Sequence, residues 1–234
     1  MAEIAGFDIK TIGIALLGGV TPALLWIWFW LKEDKDHKEP HLLLILVFIT
    51  GALGVMFAIP VERYLNEQVS DKRYLIGLWA GVEELIKYIA VWLIALRSKE
   101  VDDPVDFPIY FMVAALGFAA LENTLFLLRP ELVSNSSAGL LTSNLRYLGA
   151  TLLHAISSGI IGISIGLAFY QNKFVKQIYF VIGLAVAIAL HGFFNFFIMN
   201  ESGGNFLQIF GLLWVTTIII MLLFEKLRRM RISI

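Results

Sequence analysis

Seven apolar runs, each about the ~20 residues a helix needs to cross hydrocarbon, divide this chain of 234 residues. They fall at about Ile12–Leu31, Leu42–Val61, Tyr74–Leu96, Ile109–Leu128, Tyr147–Tyr170, Gln177–Met199 and Phe206–Phe224. In lipid the backbone N–H and C=O groups must be satisfied within the chain, and a helix does this inside one segment. The expected fold is therefore all-α: a polytopic transmembrane helical bundle of about seven spans, forming one integral membrane domain over residues 1–234. The connections are short and polar, among them Lys32–His41, Arg97–Pro108 and Gln171–Lys176, and leave no room for a soluble domain. Charge content agrees. Asp, Glu, Lys and Arg make up 16% of the chain, where a soluble domain carries about 25%.

Several classes are excluded at once. The chain has no cysteine, so it has no disulfide, thiolate nucleophile or cysteine-based zinc site. No basic cluster interleaved with aromatics marks a nucleic-acid binder, so none is expected as a partner. Glu3 and Asp8 precede Lys10, so the N-terminus lacks the positive region of a cleaved signal, and the first run reads as a retained span. Lys and Arg set the orientation. Lys32, Lys35, Lys38, Arg97, Lys99, Lys173, Lys176, Lys226, Arg228, Arg229 and Arg231 fall on one side, against Lys10, Arg63, Lys72, Arg73, Arg129 and Arg146. The richer side is cytoplasmic. This puts the C-terminus inside and the N-terminus outside a plasma membrane. Trp26, Trp28 and Trp30 read as interfacial anchors.

Four spans carry polar groups that a bilayer tolerates poorly: Glu83-Glu84-x-x-Lys87, Phe118-x-x-x-Glu122-Asn123, His154-x-x-Ser157-Ser158 and His191-x-x-x-Asn195. An ionisable group in hydrocarbon costs roughly 3 kcal/mol to more than 10 unless it is paired or wet. With the orientation above, Glu83, Glu122, His154 and His191 all lie roughly 9–14 Å below the outer boundary by helical rise. Four independent spans thus place polar residues in one layer, as one convergent site would. Lys87 stands i,i+4 from Glu83 and i,i+3 from Glu84 and can pair with either. Glycines and alanines nearby allow close helix approach. Glu83, Glu84 and Glu122 against Lys87 leave a formal charge of −2. One divalent cation would neutralise it, and so would two protons. A His, His, Glu set with an open position is a common catalytic zinc shell.

These motifs, with Pro22 and Phe29 in the first span and Asp34 and Glu39-Pro40 after it, resemble those of the PrsW family of intramembrane proteases. That family is related to the CAAX-processing and bacteriocin-processing membrane proteases. Glu122 stands where the CAAX branch typically has a histidine, which separates this chain from prenyl-protein processing. The resemblance implies a membrane-embedded metallopeptidase that cuts membrane-anchored proteins such as anti-sigma factors. On that reading Glu122, His154 and His191 hold Zn²⁺ or another divalent ion. Glu83 or Glu84 is the general base, Lys87 orients the other, and Asn195 donates to the oxyanion. The expected partners are a single-span membrane protein substrate and the lipid bilayer, with cleavage near the outer face. The Arg129–Arg146 segment is expected to gate access. A metal-independent glutamate/histidine protease is a close variant. A proton-coupled transporter is the alternative from another class, and the depth of the cluster argues against it, because transport sites lie near the midplane.

Overall fold

The computed structural model describes residues 9–33, 39–128, 137–200 and 206–230. Seven α-helices account for nearly all of them: α1 Ile9–Glu33, α2 His41–Gln68, α3 Lys72–Ile94, α4 Asp106–Leu127, α5 Ser137–Leu167, α6 Lys173–Asn200 and α7 Phe206–Arg229. Six are long and apolar enough to cross a membrane. The seventh, α3, has the length but carries Glu83, Glu84 and Lys87 in its middle, so the site itself interrupts its apolar stretch. The all-α polytopic bundle expected from the apolar runs is the architecture observed.

The helix ends differ from the run ends. α2 continues past Val61 to Gln68, and α5 begins at Ser137 rather than near Tyr147. Apolar runs mark where hydrocarbon ends, whereas a helix continues until its backbone bonds are capped. The start of α3 has such a cap: the Asp71 carboxylate accepts from the Arg73 backbone N–H at 2.9 Å. Residues 129–136 of the expected gating segment lie outside the described residues, and from Ser137 the segment belongs to α5.

α4 is the axis of the bundle. Every residue from Pro108 to Ala120 is buried. α1, α2 and α5 pack around it, α3 lies between α2 and α6, and α7 leans on α5. Small residues set the closest approach. A Cβ added to Gly51 of α2 would sit 2.1 Å from the Ala114 carbonyl oxygen, and one on Gly117 of α4 would sit 2.1 Å from that of Phe48. The two helices therefore touch backbone to backbone, which only glycine permits there. The periphery is apolar and open to lipid, with Leu17, Phe57 and Leu222 among the exposed side chains. Trp30 departs from the expected belt. It is 2% exposed and packs on Phe29 and Phe224, whereas Trp28 is 62% exposed.

The end of the bundle where α4 begins is closed by polar groups. Tyr110 donates to the buried Glu39 carboxylate. Asp106 accepts from the backbone N–H groups of Asp102 and Asp103 at 2.9 and 2.8 Å. These contacts tie the connections before α2 and before α4 to the core.

Candidate active site

The site is built around Lys87, which is fully buried. Its ammonium lies 2.9 Å from Glu84 Oε1, 3.4 Å from Glu83 Oε2 and 2.7 Å from His154 Nδ1. The Phe118 ring covers it, with its centroid 4.5 Å from Nζ. One turn of α3 thus delivers three charges to one point. α4, α5 and α6 bring the rest, because the i,i+3 and i,i+4 spacing puts all three α3 groups on the inward face.

Each buried histidine is held by a carboxylate through one nitrogen. His191 Nδ1 lies 2.8 Å from Glu84 Oε1, and His154 Nε2 lies 2.9 Å from Glu122 Oε2. A carboxylate accepts, so both of those ring nitrogens carry the proton. The other nitrogens are then lone pairs. His154 Nδ1 accepts from Lys87. His191 Nε2 is buried without a hydrogen-bond partner. Both lone pairs face one oxygen, Glu83 Oε2, at 3.7 Å from His154 Nδ1 and 3.6 Å from His191 Nε2. The rings stand nearly perpendicular, 4.8 Å apart.

This arrangement fits a metal. Glu83, His154 and His191 each offer a ligand atom, all within 4.8 Å of one another. The carboxylates on the opposite ring nitrogens are the partners that metal-ligating histidines usually have. His191 Nε2 is a buried lone pair without a partner that faces the Glu83 carboxylate oxygen, and a cation would satisfy both.

The structure brings Glu83, Glu84, Lys87, Glu122, His154 and His191 into one network. The grouping differs from the expected ligand set in one member. Glu83 stands with the two histidine lone pairs, whereas Glu122 meets His154 through its other nitrogen. Glu122 is also the most open carboxylate of the network, with 44% of its side chain exposed, against 6% for Glu83 and none for Glu84. Asn195 is partly buried, one turn beyond His191, and among the described residues nothing bonds it to the network.

Sequence reasoning left two named residues without a specific contact and missed a third. Ser158 donates to Glu84 Oε2 at 2.6 Å and completes that carboxylate; its i,i+4 spacing from His154 was the available signal. Phe118, the first residue of the Phe118-x-x-x-Glu122 motif, covers the ammonium. Glu62 of α2 is half-buried, and its charge interacts with those of Glu122, Glu83 and Lys87. It follows directly on the second apolar run and belongs to none of the four motifs.

A bundle of membrane-length helices enclosing a carboxylate–histidine network is an integral membrane protein with its polar site inside the bundle. The model of the PrsW family intramembrane metalloproteases matches residues 39–224. The chain belongs to that family and is a membrane peptide hydrolase. It is similar to proteins named "Protease PrsW" in several bacteria. The one from Geobacillus kaustophilus (strain HTA426) is 27% identical over 201 residues, 84% of this chain and 85% of that protein. The one from Clostridioides difficile (strain 630) is 29% identical over 189 residues, 78% of each chain. The one from Bacillus subtilis (strain 168) is 25% identical over 191 residues, 79% and 82% respectively. No solved structure matches the chain. Membership in a protease family decides against the transporter alternative.

Proposed function

We propose that the chain is a divalent-metal endopeptidase, its ion held by Glu83, His154 and His191, that cuts single-span membrane proteins near the outer membrane face. The observation that carries this reading is the convergence of the His191 Nε2 and His154 Nδ1 lone pairs on Glu83 Oε2. When bound, the metal would act as a Lewis acid and bring the pKa of a bound water from about 15.7 to ~7.

The remaining work belongs to side chains. Glu84 receives Lys87, His191 and Ser158 and is fully committed. It therefore orients His191 and cannot also act as the base. Glu122 orients His154 through Oε2, and its side chain is the most open of the three carboxylates. It takes the proton of the attacking water and returns it to the leaving amine. Asn195, on the same face of α6 as His191, swings in to donate to the developing oxyanion, a role worth ~3–4 kcal/mol.

The substrate follows from the surroundings. The site lies inside the bundle, so the scissile bond must arrive extended, because a helix keeps its carbonyls in internal bonds. The Lys and Arg asymmetry supports an outward-facing site, and the family resemblance supports an anti-sigma-factor-like single-span substrate.

The test pairs metal content with cleavage. Purified wild-type protein should hold about one divalent ion in a three-ligand site. Glu83→Gln and His191→Ala should lose both the ion and cleavage of co-expressed single-span proteins. Glu122→Gln should keep the ion and lose cleavage by roughly the 10²–10⁴-fold that a general base supplies. Full activity of wild-type protein after exhaustive chelation would leave only the metal-independent glutamate/histidine variant. New termini mapped to the cytoplasmic half of the substrate span would overturn the outward-facing site.

A further inference from the structure

We propose that the Lys87 ammonium holds the metal's place in the metal-free chain, and that loading the metal displaces it onto Glu84. The inference rests on the ligand set proposed above. Lys87 Nζ touches two of the three ligand atoms, His154 Nδ1 at 2.7 Å and Glu83 Oε2 at 3.4 Å. An imidazole nitrogen has one lone pair. At 2.7 Å the ammonium uses the pair on His154 that a metal must take, so the two cations cannot share this nitrogen.

Lys87 already has somewhere to go. Glu84 Oε1 is 2.9 Å from Nζ and lies outside the ligand set. The Phe118 ring, 4.5 Å away, gives the ammonium a second favourable contact that does not depend on His154 or Glu83. A small rotation of a four-carbon stem moves the charge off the ligands while keeping its ion pair.

Charge balance gives the exchange its direction. Glu83, Glu84 and Glu122 lie in the network, and Lys87 is its one Lys or Arg among the described residues. Without metal, one ammonium must serve two carboxylates of α3 and a histidine. With a divalent ion on Glu83 and the histidines, the formal sum over Glu83, Glu84, Glu122, Lys87 and the ion reaches zero and Lys87 serves Glu84 alone. The metal-free site is therefore already held together by a cation of its own, and loading is an exchange of cations.

The test is a Zn²⁺ titration of metal-free, full-length protein in detergent, against a chromophoric chelator, for wild type, Lys87→Met and Lys87→Arg. Lys87→Met should bind zinc at least tenfold more tightly than wild type. Lys87→Arg, which keeps the charge on the ligands, should not bind more tightly. Thermal unfolding gives a second readout, because a ligand of the folded state raises Tm by mass action. Metal-free Lys87→Met should melt below wild type, and saturating zinc should raise its Tm by more than it raises that of wild type. If Lys87→Met can be recovered only with zinc, its release of zinc to excess chelator should be slower than that of wild type. Equal or weaker zinc binding by Lys87→Met, or equal or faster release, overturns the exchange. If wild type binds zinc, His191→Ala does not and Lys87→Met matches wild type, only this inference fails. If none of them binds zinc, the ligand set fails with it.

Discussion

Glu83 and Glu84 are neighbours in sequence with different surroundings. Adjacent residues on a helix point about 100° apart, so nothing in the motif says which one is committed. The structure separates them: Glu84 has three donors from three helices, while Glu83 has one oxygen turned to two histidine lone pairs. Removing one donor tests this division. Ser158→Ala should lower stability by about 1.5–3 kcal/mol, the range for a hydrogen bond to a charged group, while leaving the metal bound, as read by thermal unfolding and metal analysis of one preparation. Glu84→Gln should cost more, about 3–5 kcal/mol, because it breaks a buried ion pair from one side. All six residues now found in contact were legible in the sequence, because polar groups in apolar runs stand out. Their pairing was not. Which nitrogen of His154 meets Glu122 and which meets Lys87 depends on side-chain direction across four helices, and no spacing within one helix carries that information.

The helices were legible as elements, and their limits were not. Hydropathy registers lipid contact, so it found the middle of each helix and missed the polar turns that extend α2 and α5. It also ran all-lipid and all-protein environments together. Trp30 looks like Trp28 in sequence, yet faces α7 instead of lipid. The sharpest test at this scale contrasts glycines that look alike. Gly117→Ala should destabilise at the upper end of the ~1–3 kcal/mol typical of overpacking, because the new methyl meets the Phe48 carbonyl. Gly77→Ala should be tolerated, since an added Cβ there meets nothing within 4 Å. It should even gain a few tenths of a kcal/mol, from the better helix propensity of alanine. Unfolding in detergent, read side by side, should separate the two.

For the whole molecule, the unequal Lys and Arg distribution predicts that a reporter fused after Ile234 reads as cytoplasmic. An external reading would reverse the bundle and with it the face from which substrate is cut. The burial of α4 bears on how such a chain is made. A span leaves the translocation machinery sideways into lipid, and lipid accepts the apolar residues of α4 as readily as those of α1 or α7. For α4 that stay is temporary. α1 and α2, which cover one part of it, are synthesised before it, and α5, which covers another, is synthesised after. A ribosome that stalls between α4 and α5 therefore leaves a helix in the bilayer with Gly159 and Gly162, the residues that should close against Met112 and Pro108, still missing. Such a half-clothed helix is a ready substrate for the cell's own membrane quality control, so the yield of this enzyme should depend on how promptly its fifth helix follows its fourth.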